Sequence, residues 1–268
     1  MIALLILIPL AAYVSMVAFK SLKWTVVNYE NKRIPFSLGI FILFGYATFC
    51  GVVESEVYSF AFSNEALLFV GGIWVLGFID DRYGSKETKG LRGHLFSVLK
   101  KKSPTTGFIK LIGTIGLALL FVFSLDIQSL AEGIRYFSLL VWMPHVMNLF
   151  DTRPLRVWKV TVAIFIPLLL SFPAPAFFLL IYGLAIVYLW YVLEGHRQAM
   201  LGDNGATAVG AVVAIMMIQF TPPQIQWVAL FIAGGIIFVA EKVSFSAIIN
   251  EFRILRWIDR IGVPFQQK

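Results

Sequence analysis

Nine long apolar runs, separated by shorter polar segments, dominate the pattern of the chain. They cover roughly residues 2–19, 36–53, 66–80, 107–125, 134–150, 157–172, 175–193, 205–220 and 226–241. The apolar residues in each run are continuous and do not alternate with polar ones, which argues against a membrane β-barrel. Continuous apolar runs near 20 residues can cross the hydrocarbon as helices. The pattern therefore predicts an all-α, polytopic membrane bundle of about nine transmembrane helices.

The segment after residue 241 has a different pattern. Its apolar residues recur at helical spacing: Phe245, Ile248, Ile249, Phe252 and Leu255. Its polar residues fall on other faces: Asn250, Arg253, Arg256 and Arg260. This pattern predicts an amphipathic helix within 243–268, lying as a cytoplasmic tail at the membrane interface with Trp257 near the headgroups. Because the sequence contains no linker or internal repeat, we predict one domain over 1–268.

The composition and the charge agree with a membrane protein. Of all residues 59% are hydrophobic and 14% are charged, whereas soluble domains carry about 25% charged residues. The mean hydropathy is +0.83. The net charge of +7 fits cationic loops that face anionic lipid of the inner leaflet, and we predict no nucleic-acid partner.

The Lys and Arg residues favour one orientation. With the N-terminus outside, one side holds all the basic segments: 20–35, 81–106, 151–156, 194–204 and the tail after 241. Every Lys and Arg except Arg135 then falls in or beside these segments. Because cytoplasmic loops are enriched in Lys and Arg, we predict a multi-pass membrane protein with its N-terminus outside and its C-terminus in the cytoplasm.

Carboxylates stand at the ends of three apolar runs. They are Asp80 with Asp81, Asp151, and Asp203 within a Gly-Asp-Asn-Gly sequence. In the predicted topology all of them lie at the cytoplasmic face, where they can converge on a metal-bound phosphate, since Mg²⁺ takes one or two carboxylates plus substrate phosphates. Adjacent aspartates on a helix point about 100° apart, so one of Asp80 and Asp81 can ligate metal while the other acts as a base or binds a second partner.

Cations and histidines accompany these acids. Lys110, Arg153 and Arg156 flank them, which indicates either an anionic substrate or ordinary loop charges that obey the positive-inside rule. His145 lies one helical turn before Asn148 and is either part of the site or a hydrogen-bonded histidine of the bundle. His196 precedes Asp203 in a loop from which it could contact phosphate.

Three motifs occur in a recognisable order: Gly77-Phe78-Ile79-Asp80-Asp81-Arg82, Asn148-Leu149-Phe150-Asp151 and Met200-Leu201-Gly202-Asp203-Asn204-Gly205-Ala206. Together they resemble the polyprenyl-phosphate N-acetylhexosamine-1-phosphate transferases (glycosyltransferase family 4). This superfamily includes phospho-N-acetylmuramoyl-pentapeptide transferase and the UDP-GlcNAc:undecaprenyl-phosphate GlcNAc-1-phosphate transferases. The first loop, from Asn28 to Pro35 and followed by Gly39, is similar to the family as well.

The resemblance implies an activity and a set of roles. A UDP-sugar would give its sugar-1-phosphate to a polyprenyl (undecaprenyl) phosphate at the cytoplasmic face of a bacterial plasma membrane and release UMP, for cell-envelope glycan synthesis. Mg²⁺, or Mn²⁺ in its place, would be held by Asp203 and Asp81, and the catalytic residues would be Asp80, Asp81 and Asp151. The substrate-binding residues would be Asn148, His145, Lys110, Arg153, Arg156 and His196. The resemblance is compatible with a homodimer as well as with a monomer.

The chain also departs from the family pattern. His145 and Thr152 stand where the family usually has Asn and Gly, Pro154 stands where some members have a further Asp, and no His follows Glu241. These departures leave open a non-catalytic relative that binds polyprenyl phosphate or nucleotide-sugar as a regulator or assembly partner. An ion-coupled transporter is disfavoured, because its acids should lie near the bilayer midplane and not at span ends.

Overall fold

The computed structural model describes residues 2–28, 30–53, 60–84, 105–171 and 176–263, so most of the basic segment 81–106 lies outside the described residues. Nine long helices make up most of the described chain. They are α1 (Ile2–Ser21), α2 (Leu38–Val52), α3 (Asn64–Tyr83), α4 (Thr106–Phe123), α5 (Leu130–Phe150), α6 (Arg156–Ser171), α7 (Phe177–Gly195), α8 (Gly202–Phe220) and α9 (Pro223–Ala240). Two short helices follow, α10 (Phe245–Glu251) and α11 (Arg253–Arg260).

The helical class predicted from the apolar runs is confirmed. Each of the helices α1 to α9 overlaps one of the nine runs. Five helical segments are long and apolar enough to cross a membrane: Ala3–Ser21, Thr106–Phe123, Phe177–Gly195, Gly202–Phe220 and Pro223–Ala240. These segments indicate a membrane protein.

Helix α8 is the enclosed helix of the bundle. In its apolar window 78% of the residues are buried, whereas no more than 28% are buried in the other four candidate spans. It packs against α2, α3, α5 and α6, and Gly210 lies so close to the backbone of α5 that an added Cβ would come within 2.5 Å of the Met143 carbonyl oxygen. Small residues permit this approach of helix backbones. The modest hydropathy of α8 therefore reflects contact with protein on all sides.

A two-stranded hairpin precedes α2 and was not predicted. Its strands, β1 (Thr25–Val27) and β2 (Arg33–Pro35), pair antiparallel with Val26 opposite Ile34. The turn is set by Asn28, whose Oδ1 accepts backbone hydrogen bonds from Glu30 and Lys32 at 3.0 and 2.9 Å. The Pro35 carbonyl accepts from Met200 N at 3.0 Å, so the hairpin is tied to the residues that lead into α8.

Arg135, which was predicted to face the outer side alone, is buried at the opposite end of the bundle from Asp203. Its Nε donates to Gln226 Oε1 at 2.6 Å. The Nε2 of the same glutamine donates to the carbonyl groups of Met217, Ile218 and Thr221 at the C-terminal end of α8. Side-chain donors are what the unpaired carbonyls of a helix end require. The cation thus belongs to a buried polar cap on α8.

The tail is not the continuous amphipathic helix that its periodicity predicted. Phe252 is extended (φ −92°, ψ 121°) and separates α10 from α11. A straight helix would place Ser246 and Asp259 about 20 Å apart along its axis. Both side chains instead bond the guanidinium of Arg156, at 3.0 and 2.6 Å. The chain must therefore fold back at Phe252 to make both contacts.

Candidate active site

Four helix ends bring together a group of polar side chains that we call the carboxylate cluster: Asp80, Lys110, Asn148 and Asp203. Asp80 lies at the end of α3, Lys110 in the first turns of α4, Asn148 at the end of α5 and Asp203 at the start of α8. Lys110 Nζ lies 2.5 Å from Asp203 Oδ2 and 3.5 Å from Asp80 Oδ2. One ammonium group therefore bridges the carboxylates of two motifs that are separated by more than a hundred residues.

Asn148 completes the cluster from α5. With its amide oriented to satisfy both neighbours, its nitrogen donates to Asp203 Oδ1 at 3.1 Å and its oxygen accepts from Lys110 Nζ at 3.3 Å. Both carboxylate oxygens of Asp203 are thus held, one by the lysine and one by the amide. This arrangement fixes the orientation of Asp203 at the helix end.

Asp81 points away from the cluster and binds the N-terminal end of α8. Its Oδ1 accepts from Asp203 N at 3.0 Å, and its Oδ2 accepts from Asn204 N at 2.9 Å and from Asn204 Nδ2 at 2.7 Å. Unpaired N–H groups and the helix dipole make a helix N-terminus favourable for a carboxylate. Asp81 therefore docks α3 onto the start of α8.

Very close backbone contacts surround this docking point. An added Cβ on Gly77 of α3 would lie 2.6 Å from Asn204 Cα, and one on Gly39 of α2 would collide with the Asn204 amide. Asn204 itself is fully buried and also donates to the Phe36 carbonyl at 3.2 Å. Its role was not predicted from the sequence, where Asp203 was the residue of the Gly-Asp-Asn-Gly segment that was assigned a function. In the sequence, Gly39 and Gly77 were the residues that could have indicated such close contact, because glycine lets two backbones approach each other.

The different contacts of Asp80 and Asp81 can be tested by comparing one substitution at each residue. We expect Asp81→Asn to lower thermal stability strongly, because an amide would turn an NH₂ group towards backbone donors and lose charge-assisted hydrogen bonds of about 1.5–3 kcal/mol each. We expect Asp80→Asn to change the melting temperature much less, because Lys110 keeps the Asp203 carboxylate as its counter-charge. Melting curves of the two variants in the same detergent check this. Equal losses would contradict the distinct role of Asp81.

Asp151 follows α5 directly, in the turn before α6. Its backbone N–H donates to the Asn148 carbonyl at 3.2 Å. Burial of its carboxyl, and then the negative charges of Glu194 and Asp203, raise the pKa of Asp151 above its usual value. A carboxyl of this kind can hold a proton closer to neutral pH than an exposed one. Asp151 therefore lies near the cluster without being paired to Lys110.

Glu194 supports this turn and was not predicted from the sequence. It is buried at the end of α7 and accepts a hydrogen bond from Trp190 Nε1 at 2.7 Å. It also bonds the backbone of Leu155, whose φ of 64° is in the left-handed region. In the sequence, its position at the end of an apolar run was the feature that could have indicated this role.

The two arginines predicted to bind substrate are engaged by the tail. Arg156 forms a two-point ion pair with Asp259, with Nε to Oδ1 at 2.6 Å and Nη2 to Oδ2 at 3.0 Å. Arg153 Nη1 lies 3.5 Å from the same carboxylate, and Lys159 Nζ donates to the Asp259 carbonyl at 2.8 Å. We call these contacts the tail clamp. They tie α11 to the turn that carries Asp151.

The tail clamp has a pH dependence. Although partial burial acts to raise it, the hydrogen bonds and charge of Arg156, then the charge of Arg153, hold the pKa of Asp259 below its usual value. The carboxylate therefore stabilises the clamp fully above its unfolded pKa of about 4, and this stabilisation is lost as the pH falls through the lower folded value. We expect tail protection in hydrogen exchange to be constant from pH 7 to 5 and to fall below pH 4.

A variant tests the same clamp at neutral pH. We expect Asp259→Asn to speed tryptic cleavage at Arg253 or Arg256 at least tenfold at pH 7, because it leaves the buried guanidinium of Arg156 without its counter-charge. Glu251→Gln, an exposed change in the same tail, is the matched control. Unchanged cleavage of Asp259→Asn would rule out the clamp as the restraint on the tail.

The structure separates the two predicted histidines. His145 is half-buried on α5, within electrostatic reach of Lys110 and Asp203. His196 is exposed after α7, and its Nδ1 lies 2.9 Å from the Val192 carbonyl. His145 therefore borders the carboxylate cluster, whereas His196 is bonded to its own helix end.

The oxygen donors of the cluster fit a hard divalent cation. Among the described residues no group of three or more His, Cys, Asp or Glu side chains is arranged to hold a metal ion by itself. Asp80 Oδ2 and Asp203 Oδ2 nevertheless face one common cation, the Lys110 ammonium. Mg²⁺ usually takes one or two carboxylates from a protein when substrate phosphates supply further ligands. The donor set therefore suits a metal that arrives with a phosphate substrate.

No protein-family model, no curated protein and no solved structure matches the chain significantly. The function proposed below therefore rests on the sequence motifs and on the geometry of the carboxylate cluster.

Proposed function

We propose that this protein transfers a sugar-1-phosphate, N-acetylhexosamine-1-phosphate, from a UDP-sugar to a polyprenyl (undecaprenyl) phosphate and releases UMP. The observation that carries the proposal is the carboxylate cluster, in which Lys110 bridges Asp80 and Asp203. Acids and a cation at the ends of apolar helices suit a reaction between a lipid phosphate in the membrane and a water-soluble diphosphate. The proposed product serves cell-envelope glycan synthesis.

The proposed topology has α1 to α9 each crossing a bacterial plasma membrane, with the N-terminus outside. Alternating crossings then put the end of α3, the start of α4, the end of α5 and the start of α8 on the cytoplasmic side. The contacts among Asp80, Lys110, Asn148 and Asp203 support this alternation, because they require these four ends to be neighbours. The basic segments lie on the same side, as the positive-inside rule demands.

In the proposed site, Asp203 and Asp80 would hold Mg²⁺, or Mn²⁺ in its place. When bound, the metal would offset charge on the diphosphate and stabilise the leaving UMP. Asp81 was predicted as the second metal ligand, but its oxygens accept three hydrogen bonds from α8. We therefore assign Asp81 to positioning Asp203, and Asp80 to the metal.

The proposed reaction is an exchange of one phosphoanhydride bond for another. An oxygen of the polyprenyl phosphate attacks the sugar-linked phosphorus of the UDP-sugar, the anhydride bond to UMP breaks, and UMP leaves with the electron pair. Phosphoryl transfer depends mainly on positioning and charge neutralisation. Lys110 can donate a hydrogen bond to a phosphate oxygen in place of one that it donates to a carboxylate. Asn148 keeps Asp203 oriented.

A second candidate is a relative that binds the same ligands without turnover. It is favoured by the tail clamp, because Asp259 engages both Arg153 and Arg156, which were predicted to bind substrate. Such a protein would act as a regulator or assembly partner that senses polyprenyl phosphate or nucleotide-sugar. It predicts thermal stabilisation by these ligands with no release of UMP.

One assay separates the two candidates. Purified protein is incubated with undecaprenyl phosphate, Mg²⁺ and a panel of UDP-sugars, and UMP and the lipid-linked sugar are measured together. The transferase predicts stoichiometric formation of both products with at least one UDP-sugar. Ligand-induced stabilisation without either product would support the binding protein and reject the transferase.

A further inference from the structure

An apolar groove opens between α2, α6, α7 and α8, and it is separate from the carboxylate cluster. Its volume is about 460 Å³, within the range of about 300–1,000 Å³ that is usual for ligand pockets. Val209, Val212 and Met216 of α8 form its floor. At 100° per residue these three positions lie at least about 120° around α8 from Asp203. The groove therefore faces away from the proposed reaction.

The groove is accessible from the side of the bundle. Ile166 and Leu169 of α6 and Leu184 of α7 line it, with exposed fractions of 59%, 43% and 57%. Near the start of α6, Trp158 closes the gap between the two helices by donating from Nε1 to the Val187 carbonyl at 2.9 Å. Because apolar side chains line this opening, it favours the entry of hydrocarbon over the entry of water in a membrane protein.

One polar atom in the groove has no partner. Thr161 of α6 is 92% buried, and its hydroxyl makes no hydrogen bond within the described chain. The other polar side chains in the lining are satisfied: Tyr46 donates to the Ala61 carbonyl, Trp158 to Val187, and Trp190 to Glu194. A water molecule would need two to four polar partners, and this lining offers one. A buried hydroxyl without a partner is costly, so the missing acceptor points to a ligand.

The depth of Thr161 identifies the chemistry of that acceptor. It lies five residues after Arg156, the first residue of α6, which is about 7–8 Å along the helix axis. The polar zone of a bilayer is of about this thickness on each side of the hydrocarbon. Glycerol ester carbonyls lie at that boundary, whereas an isoprenoid chain carries no hydrogen-bonding group along its length.

We propose that the groove binds one acyl chain of a glycerophospholipid, whose ester carbonyl accepts a hydrogen bond from the Thr161 hydroxyl. The lipid fills the space between α6 and α7 and packs against the floor formed by α8. This role does not depend on the proposed transferase activity. The bound phospholipid thereby contacts α8, the helix whose first turn carries Asp203.

Two substitutions test the site in the full-length protein by native mass spectrometry in detergent. The probes are a diacyl phosphatidylglycerol, its dialkyl ether analogue and undecaprenyl phosphate, each titrated separately. A Cβ on Gly183 would meet only the Phe49 ring, at 3.4 and 4.0 Å, so Gly183→Leu fills the groove. On α9, a Cβ on Gly235 meets nothing within 4 Å, so Gly235→Leu is the matched control.

We expect Gly183→Leu to lower retention of the diacyl lipid about tenfold and Gly235→Leu to leave it unchanged. Thr161→Val keeps the shape of the side chain and removes the donor. We expect the wild type to prefer the diacyl lipid over the ether lipid about fivefold, equivalent to one hydrogen bond of about 1 kcal/mol, and Thr161→Val to lose this preference.

Three outcomes would overturn the proposal. One is equal binding of both lipids by the wild type, and the second is loss of undecaprenyl phosphate, not phospholipid, from Gly183→Leu. The third is a dimer that Gly183→Leu dissociates, because the groove would then be an interface between two copies. If Gly183→Leu melts at a lower temperature than the wild type, the lipid preference of Thr161→Val tests the proposal instead, because Thr161→Val leaves the packing intact.

Discussion

Asp203→Asn is expected to reduce UMP release about a thousandfold or more, which corresponds to about 4 kcal/mol of transition-state stabilisation. The amide keeps the size of the side chain but removes the charge that Lys110 and Asn148 hold in place. The substitution also replaces one of the two carboxylates proposed for the metal with a neutral amide. The measurement is initial UMP release with undecaprenyl phosphate and whichever UDP-sugar supports turnover.

The matched control is Asp126→Asn. Asp126 is exposed in the turn between α4 and α5, so its change should leave both UMP release and the melting temperature unaltered. Asp203→Asn should remain folded, because Lys110 keeps Asp80 as a counter-charge and the contacts of Asp81 with α8 are made to backbone atoms and to Asn204. Turnover by Asp203→Asn within tenfold of the wild type would contradict the assignment of Asp203 to the metal.

Gly77→Ala is expected to cause a large loss of stability by adding a single methyl group. The new Cβ would lie 2.6 Å from Asn204 Cα and 2.7 Å from the Asp203 carbonyl oxygen, which are backbone atoms that cannot move aside alone. Overpacking of this kind costs about 1–3 kcal/mol, and more where backbone must shift. Displacement of the start of α8 should also abolish activity, because it moves Asp203 away from Lys110.

Helix α3 supplies its own control for this substitution. A Cβ on Gly71 would meet nothing within 4 Å, and alanine is favoured over glycine in a helix by about 1 kcal/mol. Gly71→Ala should therefore be neutral or stabilising in thermal melts, while Gly77→Ala melts lower or fails to fold. Similar melting temperatures for the two variants would refute the close packing of α3 on α8.

The helices could be predicted from the sequence because each is a continuous apolar run of nearly its full length. The hairpin could not, since strands of three residues are too short to show a periodicity. The break in the tail was missed for another reason. The apolar spacing continues through Phe252, and only the contacts of Ser246 and Asp259 with Arg156 require the chain to turn back.

The candidate site was predictable in part. Asp80, Lys110, Asn148 and Asp203 could be selected because polar residues at the ends of apolar runs are conspicuous, and the structure places them in contact. The 100° angle between Asp80 and Asp81 predicted divergent roles, but which one faces Lys110 depends on how α3 is rotated in the bundle. Arg153 and Arg156 could not be assigned to the tail, because their partner Asp259 is about a hundred residues away.

The enclosure of α8 has a consequence for assembly during synthesis. Helices α2, α3, α5 and α6 all pack on α8, yet each of them is made before it. Until Phe220 has been synthesised, the faces with which these four helices contact α8 lack their partner. The bundle therefore closes late, and the carboxylate cluster is assembled only when α8 packs between helices that have already been made.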